Sequence, residues 1–228
     1  MRLSSRLLAE FIGTFAIVFV GAGAICADSV LHAGPAVDLL GIAVAQGLAY
    51  VAMVSAMGPV SGGHLNPAIT IGFWVTRRLP TLDAVLYSAV QLAGGIAAAR
   101  LLEFVLPESI WRVVSLGTPE LAPEFTRAPA MAIEAVLTFF VVMVFFLTAS
   151  NFSGSFPKVA GLATGVAVTM GILTGGPFTG AAMNPARVFG PALISHHWAN
   201  HGVYWVGPLL GAVVAAWIAD WLFTPIGE

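Results

Sequence analysis

The sequence predicts an all-α membrane protein with six transmembrane helices and two re-entrant half-helices, arranged as an inverted repeat of three spans plus one half-helix. Three observations lead to this fold class. Of the 228 residues, 58% are hydrophobic and 9% are charged, whereas a soluble domain carries about a quarter charged residues. Six apolar stretches are long enough to cross a bilayer. A Gly-rich motif that ends in Asn-Pro-Ala occurs twice.

The six spans follow from length and apolar composition, because a transmembrane helix needs about 20 mostly apolar residues. The first span resembles a signal peptide. Glu10 and Thr14 interrupt its apolar region and five more spans follow, so we expect it to be retained. We therefore predict a single transmembrane domain over residues 1–228. The predicted spans are 5–26, 38–57, 82–105, 129–149, 157–173 and 202–222.

The distribution of basic residues predicts the orientation of these spans. Five of the nine basic residues lie before or at the start of the first span or in and beside the connections on that same side, and cytoplasmic segments carry such an excess. Both termini are therefore expected in the cytoplasm, and the short termini suit a bacterial inner membrane. The net charge of −2 offers no basic face for nucleic acid. The five residues are Arg2, Arg6, Arg77, Arg78 and Lys158.

Two connections, residues 58–76 and 174–195, are Gly-rich at first and then apolar, and each is too short to span a bilayer. Irregular backbone at membrane depth is tolerated only where it is buried in protein or lines a cavity. We therefore predict that both segments are re-entrant and that each contains a half-helix.

The two re-entrant segments are copies of each other. Residues 58–68 read GPVSGGHLNPA and residues 176–186 read GPFTGAAMNPA, with six of eleven positions identical. The similarity predicts one repeat over about 1–115 and a second over about 124–228, joined by an extracellular loop at about 107–128. Because each copy has three spans, an odd number, the second must enter the membrane from the opposite side. Inverted repeats of this kind place the functional site near the midplane.

The Asn-Pro-Ala sequences predict where the half-helices begin. Asn is a favoured N-cap, and Pro is well tolerated at the first helical position. A single copy would be read as a loop dipeptide, but two copies in register with the repeat favour two helix N-termini that meet at the midplane. Each N-terminus carries about half a positive charge, and both Asn amides are expected to direct donors to the axis. The motifs are Asn66, Pro67 and Ala68, and Asn184, Pro185 and Ala186.

These residues resemble the signature of the aquaporin, or major intrinsic protein, family. The resemblance covers nearly the whole chain through SGGHLNPAIT, AAMNPARVFGPAL, YWVGPLLGA and the glutamates of spans one and four. The run after the second motif looks most like the plant vacuolar-membrane branch. The resemblance implies a homotetramer in the lipid bilayer in which each subunit has its own pore for water and small neutral solutes.

The resemblance also implies how the pore works. A ladder of backbone carbonyls would accept hydrogen bonds from water, and both Asn side chains would donate to a central water and break the proton relay. No nucleophile–base pair or metal-ligand spacing lies on the axis, so we expect neither an enzyme nor a cofactor. The carbonyls would come from Gly62, Gly63, His64, Gly180, Ala181 and Ala182.

By the same resemblance, an outer constriction is formed by Gln46, Ile172, Ala181 and Arg187. Arg187 would repel cations and donate to permeating water. Strict water channels resemble one another in having an aromatic side chain at the position of Gln46 and His at the position of Ile172. Here Ile172 and Ala181 would make the constriction wider and less polar, a pattern similar to channels that also pass ammonia, urea or hydrogen peroxide. Gln46 would face the pore, or else pack as a buried amide against loop backbone.

Two other kinds of transport stay open as alternatives. The first is an aquaglyceroporin-like or metalloid facilitator, which Val188 disfavours because glycerol channels typically have Asp there. The second is a coupled secondary transporter, for which Glu10 and Glu134 are the candidate ion-binding carboxylates. Their matching places in the two repeats favour a scaffold role instead, in which each accepts hydrogen bonds from a re-entrant loop.

Two further features have more than one interpretation. A histidine cluster at the outer interface could bind a metal or sense pH, although interfacial histidines are more often anchors. Two small-residue spacings fit close helix crossings either within one subunit or between subunits. The histidines are His196, His197 and His201, and the spacings are Gly161–Gly165 and Gly207–Gly211.

Overall fold

The computed structural model describes residues 1–34, 38–149 and 159–223, with backbone only at residue 223. Within these ranges all regular elements are helices, and six are long and apolar enough to span a membrane. This confirms the predicted fold class. Lys158 and the start of the predicted fifth span lie outside the described residues. The helices are α1 Leu3–Leu31, α2 Leu39–Ser61, α3 Pro67–Val75, α4 Thr81–Val105, α5 Glu108–Trp111, α6 Arg127–Ala149, α7 Ala160–Thr179, α8 Pro185–Ser195 and α9 Val203–Phe223, with a 3₁₀ turn at Ser115–Gly117.

Helices α2 and α7 continue beyond the ends at 57 and 173 that the sequence predicts. Each runs through a proline, Pro59 or Pro177, which removes one backbone hydrogen bond without ending the helix. Both end at a glycine in the left-handed conformation, Gly62 with φ 94° and Gly180 with φ 76°. Glycine adopts this conformation without a Cβ clash, so the second glycine of each motif ends the helix and the first does not.

The half-helices α3 and α8 begin where the sequence predicts. The Asn66 side chain accepts a hydrogen bond from the Ala68 amide at 2.8 Å, and the Asn184 side chain accepts one from Ala186 at 3.0 Å. Pro follows each cap at the first helical position. With 9 and 11 residues, both helices are shorter than the 20 or so residues that a bilayer requires.

Glycines allow the long helices to cross closely within the chain. A Cβ added at Gly161 would lie 2.7 Å from the Val51 carbonyl oxygen of α2, and one at Gly207 would lie 2.8 Å from the Met131 carbonyl oxygen of α6. Both small-residue spacings therefore serve packing between helices of one subunit, α2 with α7 and α6 with α9. This decides between the two interpretations that the sequence left open.

Two ion pairs connect the ends of helices on one side of the helix bundle. Arg6 at the start of α1 donates to Asp83 at the start of α4 across 2.8 Å. Arg78, just after α3, donates to Asp220 near the end of α9 across 2.7 Å. The start of α1 and the end of α9 therefore lie on the same side as the end of the first half-helix.

Candidate functional site

The two half-helices meet through their capping asparagines. Asn66 donates from Nδ2 to the Met183 carbonyl at 2.9 Å, and Asn184 donates from Nδ2 to the Leu65 carbonyl at 3.0 Å. Each asparagine thus binds the residue that precedes the other asparagine. Both are fully buried. The two helix N-termini therefore face each other inside the bundle, as the inverted repeat predicts.

The two asparagines differ in their remaining contacts. The second N–H of Asn184 donates to the Tyr50 hydroxyl at 2.9 Å, so protein groups occupy both of its donors. Because its Oδ1 accepts from the Ala186 amide, the orientation of this side chain is determined. The Asn66 Nδ2 donates only to the Met183 carbonyl among the described residues. The expectation that both amides are directed to the axis therefore does not hold for Asn184.

The loops that lead into the half-helices have left-handed backbone at matching positions of the two repeats. Leu65 and Met183 both have φ 52°, and Ala181 has φ 45° where its counterpart Gly63 has φ 64°. This conformation costs a non-glycine residue about 1–2 kcal/mol. Such strain persists only where surrounding contacts hold the backbone in place.

The Glu10 carboxylate holds the first loop. The Ser61 hydroxyl donates to it at 2.6 Å, and the backbone amides of His64 and Leu65 donate at 3.0 Å and 2.6 Å. The Gln91 amide adds a fourth hydrogen bond at 2.8 Å. Glu10 is fully buried in α1. Its carboxylate accepts from loop amides that have no hydrogen-bond partner in a helix or strand.

The Glu134 carboxylate holds the second loop in the same way. The Thr179 hydroxyl donates to it at 2.7 Å, and the backbone amides of Ala182 and Met183 each donate at 2.9 Å. Glu134 is also fully buried, on α6. Both acids therefore hold the strained loops, which is the geometry of the scaffold role.

Two residues of the predicted outer constriction, Gln46 and Arg187, lie beside the second half of α1. Arg187 is buried and donates from Nη1 to the Gly117 carbonyl at 2.7 Å. Gly117 in turn packs on Ala22 of α1, to whose Cα an added Cβ would come within 2.9 Å. Gln46 of α2 packs on the neighbouring Gly21. Positions 21 and 22 of α1 therefore bring Gln46 and Arg187 to the same level of the bundle.

Ile172 and Ala181 belong to the same region. Ile172 lines a cavity of about 310 Å³ that also borders Gly180, the residue before Ala181. The Gln46 amide makes no hydrogen bond to any described residue, so the alternative of an amide satisfied by loop backbone has no support in this part of the chain. The cavity is lined by Ile25, Leu39, Ile42, Ile172, Gly176, Pro177 and Gly180.

The loop between the repeats contributes to this site, and sequence reasoning missed it. Besides the Gly117 carbonyl, the Ala122 amide donates to the Phe178 carbonyl at 2.9 Å, and Pro119 packs on Gly180. The Gly-Thr-Pro sequence at 117–119 signals a turn, but nothing local indicates what it contacts.

Sequence reasoning also missed Tyr50, whose hydroxyl contacts Asn184. It is the only tyrosine of its span and lies four residues after Gln46.

The outer histidines have separate partners. His201 accepts a hydrogen bond at Nε2 from the Trp205 indole at 3.0 Å, whereas His197 lies 3.7 Å from the Glu120 carboxylate. Burial lowers the pKa of His201, which favours its neutral form. His196 ends α8 in the left-handed conformation with φ 59°. The described part of the chain contains no group of three metal-ligating side chains, so these residues do not converge on one point.

Comparisons with known proteins agree on one family. The family description "Major intrinsic protein" matches residues 1–219. The chain is 40% identical over 226 residues to "Aquaporin TIP4-4" of Zea mays, covering 97% of this chain and 87% of that protein. It is 36% identical to "Aquaporin-4" of Mus musculus, covering 95% and 67%. The X-ray structure of the aquaglyceroporin from Plasmodium falciparum superimposes with a TM-score of 0.85 at 23% identity, covering 99% and 98%, and so has the same fold.

Proposed function

This chain belongs to the major intrinsic protein family, the aquaporins, and we propose that it is a passive channel whose single pore conducts water and passes small neutral solutes. Its relatives named aquaporins support passive water conduction, and members of the family are channels and not enzymes. The observation that carries the proposal is the contact between the two half-helices. The hydrogen bonds between Asn66 and Met183 and between Asn184 and Leu65 bring two positive helix ends together inside the helix bundle.

Exclusion of cations follows from the charges along this path. Each half-helix N-terminus contributes about half a positive charge, and the Arg187 guanidinium adds a full charge near the outer constriction. A cation that enters must lose hydration water and is repelled by both the helix N-termini and the Arg187 guanidinium. Neutral molecules pay no such electrostatic cost, so selectivity for uncharged solutes follows.

A ladder of carbonyls would guide water toward the centre. The carbonyls of residues 62–64 and 180–182 accept no hydrogen bond from the described residues, because the loop amides are engaged by Glu10 and Glu134. Unpaired carbonyls at membrane depth require a polar partner. Water in the pore supplies that partner, and its hydrogens would then point to the carbonyls and its oxygen to the donors.

The composition of the outer constriction supports a solute range wider than water. Ile172 and Ala181 would offer two apolar surfaces to the constriction, and the Gln46 amide makes no hydrogen bond to the described residues. Ammonia, urea and hydrogen peroxide are small, neutral and able to bind both Arg187 and Gln46. Glycerol remains disfavoured by Val188. The structural likeness to an aquaglyceroporin concerns the fold alone.

The coupled-transporter alternative has little support. A proton or sodium site would need a carboxylate with coordination free for the ion. Both oxygens of Glu10 and of Glu134 already accept hydrogen bonds from the re-entrant loops. Protonation or ion binding at either acid would cost the loop its anchors.

The experiment that tests this function is stopped-flow light scattering on proteoliposomes with the purified protein, run in parallel with water, urea, ammonia and glycerol. We expect water flux above that of empty liposomes with a low activation energy, and measurable urea and ammonia flux. Water flux with the high activation energy of bare lipid would refute the channel. Solute flux that depends on an imposed sodium or proton gradient would favour the transporter.

The protein is an integral multi-pass membrane protein, and we propose the finer details of its assembly. Exposed apolar residues cover the outer faces of α2 and α7, for example Val44, Leu48, Val166 and Met170. These faces would contact lipid or neighbouring subunits in a homotetramer. Both termini would face the cytoplasm, with Arg6 and Arg78 on that side. A bacterial inner membrane stays a prediction.

A further inference from the structure

The pseudo-symmetry of the two half-helices is broken at Tyr50. After the mutual contacts, each asparagine has one N–H left. That of Asn184 donates to the Tyr50 hydroxyl at 2.9 Å. The residue that the repeat places opposite Tyr50, at the same offset of 118 that relates Asn66 to Asn184, is Val168. Val168 is buried and has no polar side-chain atom, so the Asn66 N–H receives no equivalent partner.

Tyr50 lies along the path between the outer constriction and the asparagines. It follows Gln46 by four residues on α2, so both side chains project from the same face of the helix. At about 1.5 Å per residue, Tyr50 is roughly 6 Å deeper in the membrane than Gln46. The side chain is 2% exposed, and its hydroxyl reaches the capping asparagine at the midplane. Its ring therefore occupies space at the inner end of the outer half of the pore.

The other two tyrosines have a different role, which makes Tyr50 distinct. Tyr87 donates to the Ser61 carbonyl at 2.8 Å and Tyr204 donates to the Thr179 carbonyl at 2.9 Å, at matching positions of the repeats. Both hydroxyls stabilise the backbone at the C-terminal ends of α2 and α7. The Tyr50 hydroxyl instead accepts a hydrogen bond, and its own proton has no acceptor among the described residues.

We propose that Tyr50 is an inner constriction that determines specificity, and that its hydroxyl replaces Asn184 as the donor to the permeating molecule. A central water would then be held by one N–H of Asn66 and by the phenol O–H. The ring would narrow the pore about one helical turn deeper than the outer constriction. Because the outer constriction is wide, the size limit for neutral solutes is set at Tyr50. This inference rests on the proposed channel function.

Two substitutions separate the ring from its hydroxyl. Tyr50→Val copies the residue of the other half, removes the ring and returns the second Asn184 N–H to the axis. We expect the ratio of urea to water permeability to rise. Tyr50→Phe removes the phenol donor and also the acceptor of the second Asn184 N–H, but it keeps the ring, which would still separate this N–H from the axis. We expect the ratio of urea to water permeability to stay unchanged. The water permeability should fall about two- to tenfold, which is the effect of one hydrogen bond on a rate.

The measurements are unit permeabilities for water and urea in proteoliposomes, normalised to the amount of reconstituted protein, with thermal unfolding of each variant as a check of folding. Phe104→Val is the matched control, because it removes an aromatic ring that is 85% exposed at the end of α4. We expect its permeabilities to equal those of the wild type. Tyr50→Leu substitutes for Tyr50→Val if the smaller side chain prevents folding.

The outcomes separate this inference from the channel function. If the wild type conducts water and the folded Tyr50 variants match it in both permeabilities, Tyr50 is not a constriction and the channel stands. If the loss of permeability in both variants is proportional to the drop in their thermal unfolding midpoint, Tyr50 has only a packing role and the inference is also wrong. If the wild type itself shows no flux above bare lipid, the channel function fails first.

Discussion

Arg187 is the residue on which the proposed outer constriction depends, and only part of its guanidinium has a hydrogen-bond partner among the described residues. It donates to the Gly117 carbonyl, while its Nε has no partner among the described residues. A buried guanidinium with free donors is costly unless a polar molecule binds it. Water or another neutral solute in the pore would bind these donors. The same charge that attracts such dipoles repels cations.

The first prediction at this scale concerns the width of the constriction. The double substitution Ile172→His with Gln46→Phe makes this site polar on one side and bulky on the other, as in strict water channels. We expect urea flux to be suppressed and water flux to persist in stopped-flow measurements. The single substitution Leu173→Ala, on the exposed surface of α7, is the control for expression. Urea flux unchanged in the double variant would show that the constriction lies elsewhere.

A second prediction concerns the buried acid of the second repeat. Glu134→Gln keeps one acceptor oxygen but places an NH₂ group where a backbone amide of the loop now donates. Removing one partner of a buried hydrogen bond costs about 1–3 kcal/mol. We therefore expect a lower thermal unfolding midpoint together with reduced water permeability. A variant of full thermal stability that has lost only gradient-driven transport would instead support the transporter alternative.

At the scale of elements, the loop between the repeats contacts the proposed outer constriction. It reaches from α5 to Phe178, and the left-handed turn at Leu116 and Gly117 directs a carbonyl to Arg187. A connection that could have been a passive linker thus positions a charged residue of the opposite repeat. The half-helices do the same for each other through Asn66 and Asn184.

This role of the loop leads to a prediction for Gly117. Its φ of 69° and its close approach to Ala22 leave no room for a Cβ. We expect Gly117→Ala to displace the carbonyl from Arg187, to destabilise the protein by about 1–3 kcal/mol and to lower water permeability. Val113→Ala, an exposed position of the same loop, is the matched control for both measurements. Equal permeability of the two variants would show that Arg187 does not need this carbonyl.

At the scale of the whole molecule, an inverted repeat combines two halves that would be incomplete alone. Each half has one loop of strained backbone held by its own buried glutamate, and each asparagine finds its partner only in the other half. The positive ends of both half-helices consequently meet at one level. This arrangement would raise the energy of a cation that enters from either side, whichever neutral solute passes.

The corresponding prediction is that protons do not cross with water. Proteoliposomes that carry a pH-sensitive dye, subjected to a pH gradient and a potassium diffusion potential, should acidify no faster than empty liposomes. Water flux in the same preparation should be raised, which serves as the control for functional protein. A proton flux that scales with the amount of reconstituted protein would contradict the electrostatic barrier.

The sequence by itself determined the features that depend on local patterns. Six apolar stretches set the number of spans because lipid selects segments by length and hydrophobicity. The half-helix starts at Asn66 and Asn184 were predictable because capping and the proline position act within a few residues. The duplication determined the inverted arrangement, and the two glutamates at equal places in it indicated a shared role.

Only the tertiary structure decided the contacts between distant residues. Arg187 and Gly117 are 70 residues apart, and Asn184 and Tyr50 are 134 apart, so no local pattern could indicate either pair. The tertiary structure also decided that α2 and α7 continue through Pro59 and Pro177. From the sequence alone, a proline would be expected to end each helix, but close packing between α2 and α7 stabilises the helical backbone on both sides of it. Local chemistry sets where helices begin, whereas packing decides where these two end and which side chains meet.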